Sequence, residues 1–106
     1  MRIDFLHPEF HAGLNTTVRL GVRTPDIDES VFLYKTGDID PLARGFIERY
    51  TVTRFEYLTD EDIMNQHDPE TQEFEGLRNA MQRAYKEKFS DISVVTVIYF
   101  FVEEIF

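Results

Sequence analysis

The side chains best suited to binding chemistry lie in one short stretch of the chain. Apolar and polar residues alternate over 16–23, which predicts a half-buried strand with Arg19 and Arg23 on its wetter face. Because a guanidinium presents a planar fork of donors, this pair could contact a phosphate or a base edge. The alternative is a solvated strand face whose arginines pair with acids of a neighbouring strand, such as Glu48 or Glu56.

Three polar residues precede these arginines. Thr16 and Thr17 could bind a small ligand, but no adjacent base is visible, so ordinary strand threonines are the simpler interpretation. Asn15 could donate to a base edge or could equally be a loop residue. The stretch therefore offers hydrogen-bonding groups without an activated nucleophile.

One cluster has the residue types needed for acid/base or metal chemistry, namely His67, Asp68 and Glu70. Asp68 already has a structural role as the N-cap of a following helix. This spacing matches no metal motif. His7 and His11, four residues apart, lack the glutamate of a zinc-protease motif. We therefore predict no metal and no cofactor, and keep Glu70 as the one candidate acid/base.

Other ligand contacts could come from outside this stretch. Lys35 lies in the less acidic half of the chain, and Tyr34, Tyr50 and Tyr57 could stack a base. Packing is the alternative for at least two of these tyrosines. We retain Lys35 and Tyr50 as ligand-binding candidates.

Charge is distributed unevenly along the chain. The net charge of the 106 residues is −9, and residues 59–75 hold seven acids and no Lys or Arg. Wrapping of a phosphate backbone by this half is disfavoured, because such binding depends on cations that displace counterions. The acidic segment is either a solvated surface or a contact surface for a basic protein. A contact surface of this kind would suit a phage or plasmid protein that inhibits a nucleic-acid enzyme.

Composition limits the class of protein. One domain over residues 1–106 fits the length, and the absence of Cys excludes disulfides and thiolate chemistry. The N-terminus has no signal-peptide pattern, and the longest apolar run, 94–102, is about half the length of a membrane span. We expect a soluble, cytoplasmic protein that does not contact a membrane.

The pattern predicts strands, then helices, then a closing strand. Strands are expected at 1–5, 16–23, 31–34, 45–57 and 92–102, and the last is apolar on both parities, which is typical of a central strand. A helical turn is expected over 8–13. A helix capped by Thr59 should run to about Gln66, and a longer one should start at Asp68 and continue through Tyr85.

Four pieces of the sequence together resemble the ASCH domain of the PUA-like superfamily. They are Gly13 followed by Thr16-Thr-Val-Arg-Leu20, the turn Lys35-Thr-Gly-Asp38, the segment from Phe46 to Leu58, and the final strand 94–102. The resemblance implies an α+β fold, a small PUA-like mixed β-barrel with a helical insertion before the last strand.

The same resemblance implies binding of RNA or a modified nucleoside in a cleft beside strand 16–23. One branch of the family removes the acetyl group of acetylcytidine with a Lys and a Thr of the opening strand and a Glu of the helical region. Glu70 can occupy the Glu position, but the Lys position falls on Asn15 or Thr16. Binding is therefore the main expectation, and hydrolysis of acylated nucleosides is the alternative.

Overall fold

The architecture is a curved five-stranded mixed sheet that packs against two α-helices in a computed structural model describing all 106 residues. The strands are β1 (Arg2–Phe5), β2 (Gly13–Leu20), β3 (Ser30–Lys35), β4 (Ala43–Arg54) and β5 (Val94–Ile105). Their order across the sheet is β1-β3-β4-β5-β2. β1 runs parallel to β3, and the other neighbours are antiparallel. The expected α+β fold with a helical insertion before the last strand is confirmed.

β5 is the most deeply buried strand of the sheet. Residues 95–100 and Val102 are all buried, which confirms the prediction of a strand covered on both faces. One face packs against the helices around Phe55, Leu77 and Met81. The other face packs against β1, β3 and β4, where Phe5, Val31, Leu33, Ala43 and Ile47 meet Phe100. The two cores therefore lie on opposite sides of β5.

The helices occupy the segment between β4 and β5. They are α1 (Asp60–Met64) and α2 (Phe74–Tyr85), with 3₁₀ turns at Phe55–Tyr57, Pro69–Thr71 and Lys86–Lys88. Thr59 and Asp62 form the capping box that the sequence predicts for the first helix. No helix is long and apolar enough to cross a membrane.

Two helix predictions are wrong at their boundaries. Asp68 caps the 3₁₀ turn Pro69–Thr71 and not α2, because the extended Glu73 separates that turn from the helix. α1 stops at Met64, short of the expected end, because the following residues leave the helix to run beside β2.

Three further element predictions need correction. The helical turn expected over 8–13 is absent, because residues 8–12 are irregular and Gly13 begins β2, and the Asn15 side chain braces this segment through hydrogen bonds with His11 and Gly13. β2 ends at Leu20 because Gly21 has a φ of 84°. The strand predicted over 45–57 ends at Arg54, where a 3₁₀ turn begins.

The curl of the sheet brings its two edge strands, β1 and β2, close to each other. Two bulges in the β4–β5 ladder, at Glu103 of β5 and at Glu48 of β4, bend the central strands. No backbone ladder joins β1 to β2. Instead, Arg19 Nη2 of β2 donates to the Asp4 carbonyl oxygen of β1 at 3.0 Å. We call this side-chain-bridged gap between β1 and β2 the seam.

Candidate functional site

A cavity of about 310 Å³ opens at the seam. Its walls come from β1, β2, Thr36 after β3, the segment after α1, and α2, and the residues important here are Phe5, Thr17, Arg19, His67, Met81, Ala84 and Tyr85. We call it the seam cleft. Because its walls come from five separate parts of the chain, the cleft exists only in the folded protein.

A second, more polar cavity of about 360 Å³ adjoins the seam cleft. Lys35 and Glu70 line it, and it shares His7 and Asp68 with the cleft. No hydrophobic side chain lines it. We call it the polar annex. A ligand with an apolar ring and a polar substituent would therefore meet matching surfaces in the two cavities.

Arg19 is the half-buried cation of the seam cleft. Its Nε donates to Thr17 Oγ1 at 3.1 Å, and its Nη2 donates to the Asp4 carbonyl oxygen. The guanidinium carbon lies 4.9 Å from the centre of the Phe5 ring. Burial lowers the pKa of Arg19 from its usual value, yet an arginine stays charged in proteins. No carboxylate forms an ion pair with it.

His67 is the neutral acceptor of the seam cleft. Its Nδ1 lies 3.1 Å from the Thr16 carbonyl oxygen, and since a carbonyl only accepts, Nδ1 carries the proton. Nε2 is then an acceptor, and no protein group donates to it. Burial lowers the His67 pKa to about 4, which outweighs the opposite effect of the Thr16 bond. The ring is therefore uncharged at neutral pH.

Backbone pairing fixes the position of His67. The Thr16 amide donates to the Asn65 carbonyl at 2.8 Å, and the His67 amide donates to the Thr16 carbonyl at 3.2 Å. Residues 65–67 thus cover the outer edge of β2. The short segment after α1 has the local structure of an added strand, although it forms only one bridge, between Thr16 and Gln66.

The structure brings four of the predicted site residues to the cleft and its annex. Thr17 and Arg19 line the seam cleft, and Lys35 and Glu70 line the polar annex. Lys35 is at the end of β3 and Glu70 lies in a 3₁₀ turn, so the sequence alone does not indicate that they meet.

Asn15 and Thr16 lie beneath the cleft with no exposed surface. Asn15 braces the loop before β2, and the Thr16 hydroxyl donates to the Asp62 carbonyl at 2.9 Å. Their side chains hold the strand that presents Thr17 and Arg19. The ligand contacts proposed for them stay predictions.

Arg23 and Tyr50 lie apart from the seam cleft. Arg23 follows the end of β2, so the prediction of two arginines on one strand face is wrong. Tyr50 belongs to β4, the middle strand, and packs beside the second core. β2 pairs with β5 and not with β4, so the alternative cross-strand partners Glu48 and Glu56 do not face Arg19.

Several cleft residues had no signal in the sequence. Asp4, Phe5 and Tyr85 reach the site only because β1 and α2 pack near β2. The sequence singles out His67 because of its titratable neighbours, and it gives no sign that the ring is half-buried with a backbone carbonyl as its partner. No group of three or more His, Asp or Glu side chains has the arrangement of a metal site.

The architecture matches a solved structure. The chain superposes on the crystal structure of an ASCH domain from Lactobacillus crispatus JV V101 with a TM-score of 0.65. The chain has the fold of an ASCH domain. Sequence identity over the match is 14%, and the match covers 83% of this chain and 63% of that one.

This ASCH-like chain thus spans less than two thirds of the solved ASCH domain with which it aligns. No protein-family model matches its sequence, and no curated protein matches it significantly. Likeness at this level of identity establishes the fold, and the function has to be argued from the site.

Proposed function

We propose that this ASCH-like domain binds RNA or a modified nucleoside, with the base in the seam cleft. The observation that supports the proposal is a fixed donor, Arg19, and a fixed neutral acceptor, His67 Nε2, on one cavity of about 310 Å³. That volume lies at the lower end of the range for small-molecule sites. A base fits this chemistry because its edge alternates donors and acceptors.

The walls of the cleft suit the faces of a base. Phe5, Met81 and Tyr85 supply aromatic and soft apolar surface, on which a flat ring can stack. Because the His67 pKa is about 4, Nε2 stays an acceptor throughout the neutral range. The polar annex, with Lys35 and Glu70, is placed for a sugar or an exocyclic substituent.

A steric block gives the sharpest test. Ala84 is an exposed residue of α2 that lines the cleft, so Ala84→Phe should fill the cleft without disturbing the core. Gln82→Phe is the matched control, since Gln82 is exposed on the same helix and does not line the cleft. Arg19→Ala is a poorer test, because it also removes the bridge across the seam.

The measurement is a thermal-shift and calorimetric screen with unmodified and modified nucleosides and short single-stranded RNAs. A ligand at about 100 times its Kd should stabilise the fold by about 2.7 kcal/mol. We expect at least one member of the panel to bind the wild type and Gln82→Phe, with at least tenfold weaker binding to Ala84→Phe. A flat panel, or equal binding by Ala84→Phe, would refute the proposal.

A second candidate is hydrolysis of acylated nucleosides such as acetylcytidine. The observation that favours it is that Lys35 and Glu70 line the same polar annex beside the cleft. Amide hydrolysis needs a general acid/base and a group that stabilises the oxyanion, and these two side chains could fill those roles. Glu70→Gln should abolish turnover of acetylcytidine, whereas Glu87→Gln, an exposed control, should not. Absence of product with the wild type would eliminate this candidate.

A third candidate, a contact surface for a basic protein over residues 59–75, has weaker support. Asp62 and Asp68 cap backbone amides, Glu61 pairs with Arg49, and Glu75 pairs with Arg78. Three of the seven acids of this segment, Asp60, Glu70 and Glu73, have no such partner. Four of the seven acids therefore already have a partner within the fold, which leaves fewer carboxylates for a basic partner protein. A salt-sensitive partner recovered by pull-down would revive this candidate.

A further inference from the structure

A third cavity, of about 540 Å³, adjoins the seam cleft at Arg19 and Asp4, which line both. Its walls come from β1, β2, the segment that follows β2, and β5, and they include Arg2, Asp4, Arg19, Arg23, Thr24 and Ile98. A single ligand could therefore reach both cavities past Arg19.

This cavity is positive in a strongly negative protein. Three arginines and one aspartate line it, a local net charge of +2, whereas the whole chain has a net charge of −9. Asp4 pairs with Arg2 at 2.9 Å. Arg19 and Arg23 form no ion pair with any carboxylate of the chain.

The missing partners of Arg19 and Arg23 stand out against the rest of the molecule. Most other arginines pair with acids, namely Arg2, Arg44, Arg49, Arg54 and Arg78. Arg83 also lacks an ion pair, but it is exposed to water, which compensates its charge. Arg19 is half-buried and lacks that compensation. Arg23 is exposed like Arg83, but it lines the same cavity as Arg19, and two neighbouring cations lower their mutual repulsion when an anion lies between them.

The backbone holds Arg23 in place beside Arg19. The Arg23 amide donates to Thr96 Oγ1 at 2.8 Å, and Thr96 Oγ1 donates in turn to the Gly21 carbonyl at 2.7 Å. The Arg23 Nε donates to the Leu20 carbonyl at 3.3 Å. The N–H groups on both terminal nitrogens of Arg23 and on Nη1 of Arg19 donate to no protein group, so they are available to a ligand. This preorganised set suits an oxyanion with several acceptor oxygens.

We propose that this cavity binds a phosphate group through Arg19 and Arg23. With this site, the ligand becomes a nucleotide or an RNA strand in place of a free nucleoside, with its base in the seam cleft and a phosphate in the third cavity. That identification of the phosphate's source rests on the proposed function. The anion site itself does not, because free phosphate would use the same donors.

The test compares ligands with and without phosphate at low ionic strength. Inorganic phosphate, pyrophosphate, nucleosides and their 3′- and 5′-monophosphates are titrated by calorimetry into the wild type, Arg23→Gln and Arg83→Gln. Arg83→Gln is the matched control, since it removes another unpaired arginine outside the cavity. We expect pyrophosphate to bind the wild type and Arg83→Gln, and to bind Arg23→Gln at least tenfold more weakly.

The outcomes separate this proposal from the proposed function. Nucleotides that bind more tightly than nucleosides, with the gain lost in Arg23→Gln, would support both. Pyrophosphate binding that depends on Arg23, with no binding of any base, would support the anion site as a site for free phosphate and refute the base cleft. Nucleoside binding that neither phosphate nor Arg23→Gln alters would refute the anion site alone.

Discussion

His67 links the stability of the fold to pH because folding keeps its ring neutral. Its pKa is 6.5 in an exposed chain and about 4 in the folded protein, chiefly through burial. Between these values the unfolded state binds a proton that the folded state does not. The His67 contribution to the free energy of unfolding is therefore fully present above pH 6.5 and decreases as the pH drops towards 4. The gap corresponds to about 3 kcal/mol.

We therefore predict that His67→Gln has a flatter pH profile of stability than the wild type. The measurement is the free energy of unfolding by urea from pH 7.5 to pH 4 in both proteins. The carboxylates titrate in both, so the difference between the two curves reports on His67. Parallel curves would show that folding does not lower the pKa of the His67 ring.

The ring of His67 has a backbone hydrogen-bond partner, whereas Gln66 has a buried side-chain amide whose NH₂ group lacks one. It is 1% exposed, and its Nε2 has no hydrogen-bond partner. Its Oε1 lies 3.4 Å from the Thr71 hydroxyl, which instead donates at 2.8 Å to the Asp68 carbonyl. An unsatisfied buried donor costs about 1–3 kcal/mol.

We predict that Gln66→Met leaves the free energy of unfolding unchanged or raises it by about 1 kcal/mol. Gln72→Met is the contrasting variant, because Gln72 Nε2 makes a 3.0 Å bond to the Gln66 carbonyl and its loss should destabilise the fold. Chemical denaturation of both variants measures the two effects. A clear loss of stability in Gln66→Met would mean that its amide has a partner.

For the strands and helices, the sequence predicts the features that depend on the local pattern of apolar and polar residues. β5 has apolar residues on both parities, so its central position was visible, and Thr59 with Asp62 was a recognisable helix start. The end of β2 depended on one glycine at positive φ. The irregular path of residues 8–12 depended on the Asn15 side chain, which a pattern of apolar spacing does not report.

The site was predictable only in part, for the same reason. Thr17 and Arg19 are predictable as site residues because the alternating pattern identifies their strand. Thr16 is buried because residues 65–67 cover β2, and this pairing joins segments about fifty residues apart. The apposition of β1 and β2 arises from the curl of the whole sheet. No short stretch of sequence encodes it.

Gly45 is the element-scale feature that allows this curl. It lies opposite the bulge at Glu103 of β5, where a Cβ atom would overlap with the Phe101 carbonyl oxygen. We predict that Gly45→Ala costs at least about 3 kcal/mol, since a backbone segment of β5 must move. Gly37→Ala meets only open space at a φ of 92° and should cost about 1–2 kcal/mol. Thermal unfolding of both variants checks the order, and an equal loss would contradict it.

For the whole molecule, charge and shape point to a small ligand footprint. Arg19 and Arg23 line one cavity without an acid partner, while the chain as a whole has a net charge of −9. A long nucleic acid would leave the seam and meet repulsion from the acids of the surrounding surface. If RNA is the ligand, the protein should recognise a nucleotide or two and not a long strand.

We predict that the affinity for single-stranded RNA does not increase with length beyond a few nucleotides. With the one phosphate of the proposed site neutralised, the slope of log K against log salt should be about −0.7. Fluorescence anisotropy with labelled RNAs of about 3, 10 and 30 nucleotides over a range of salt concentrations measures both quantities, with affinities corrected for the number of sites per strand. A corrected affinity that rises with length, or a slope several times steeper, would require a basic surface beyond the seam. Arg83, Lys86 and Lys88 at the end of α2 also lack an ion pair, and they are the first candidates for such a surface.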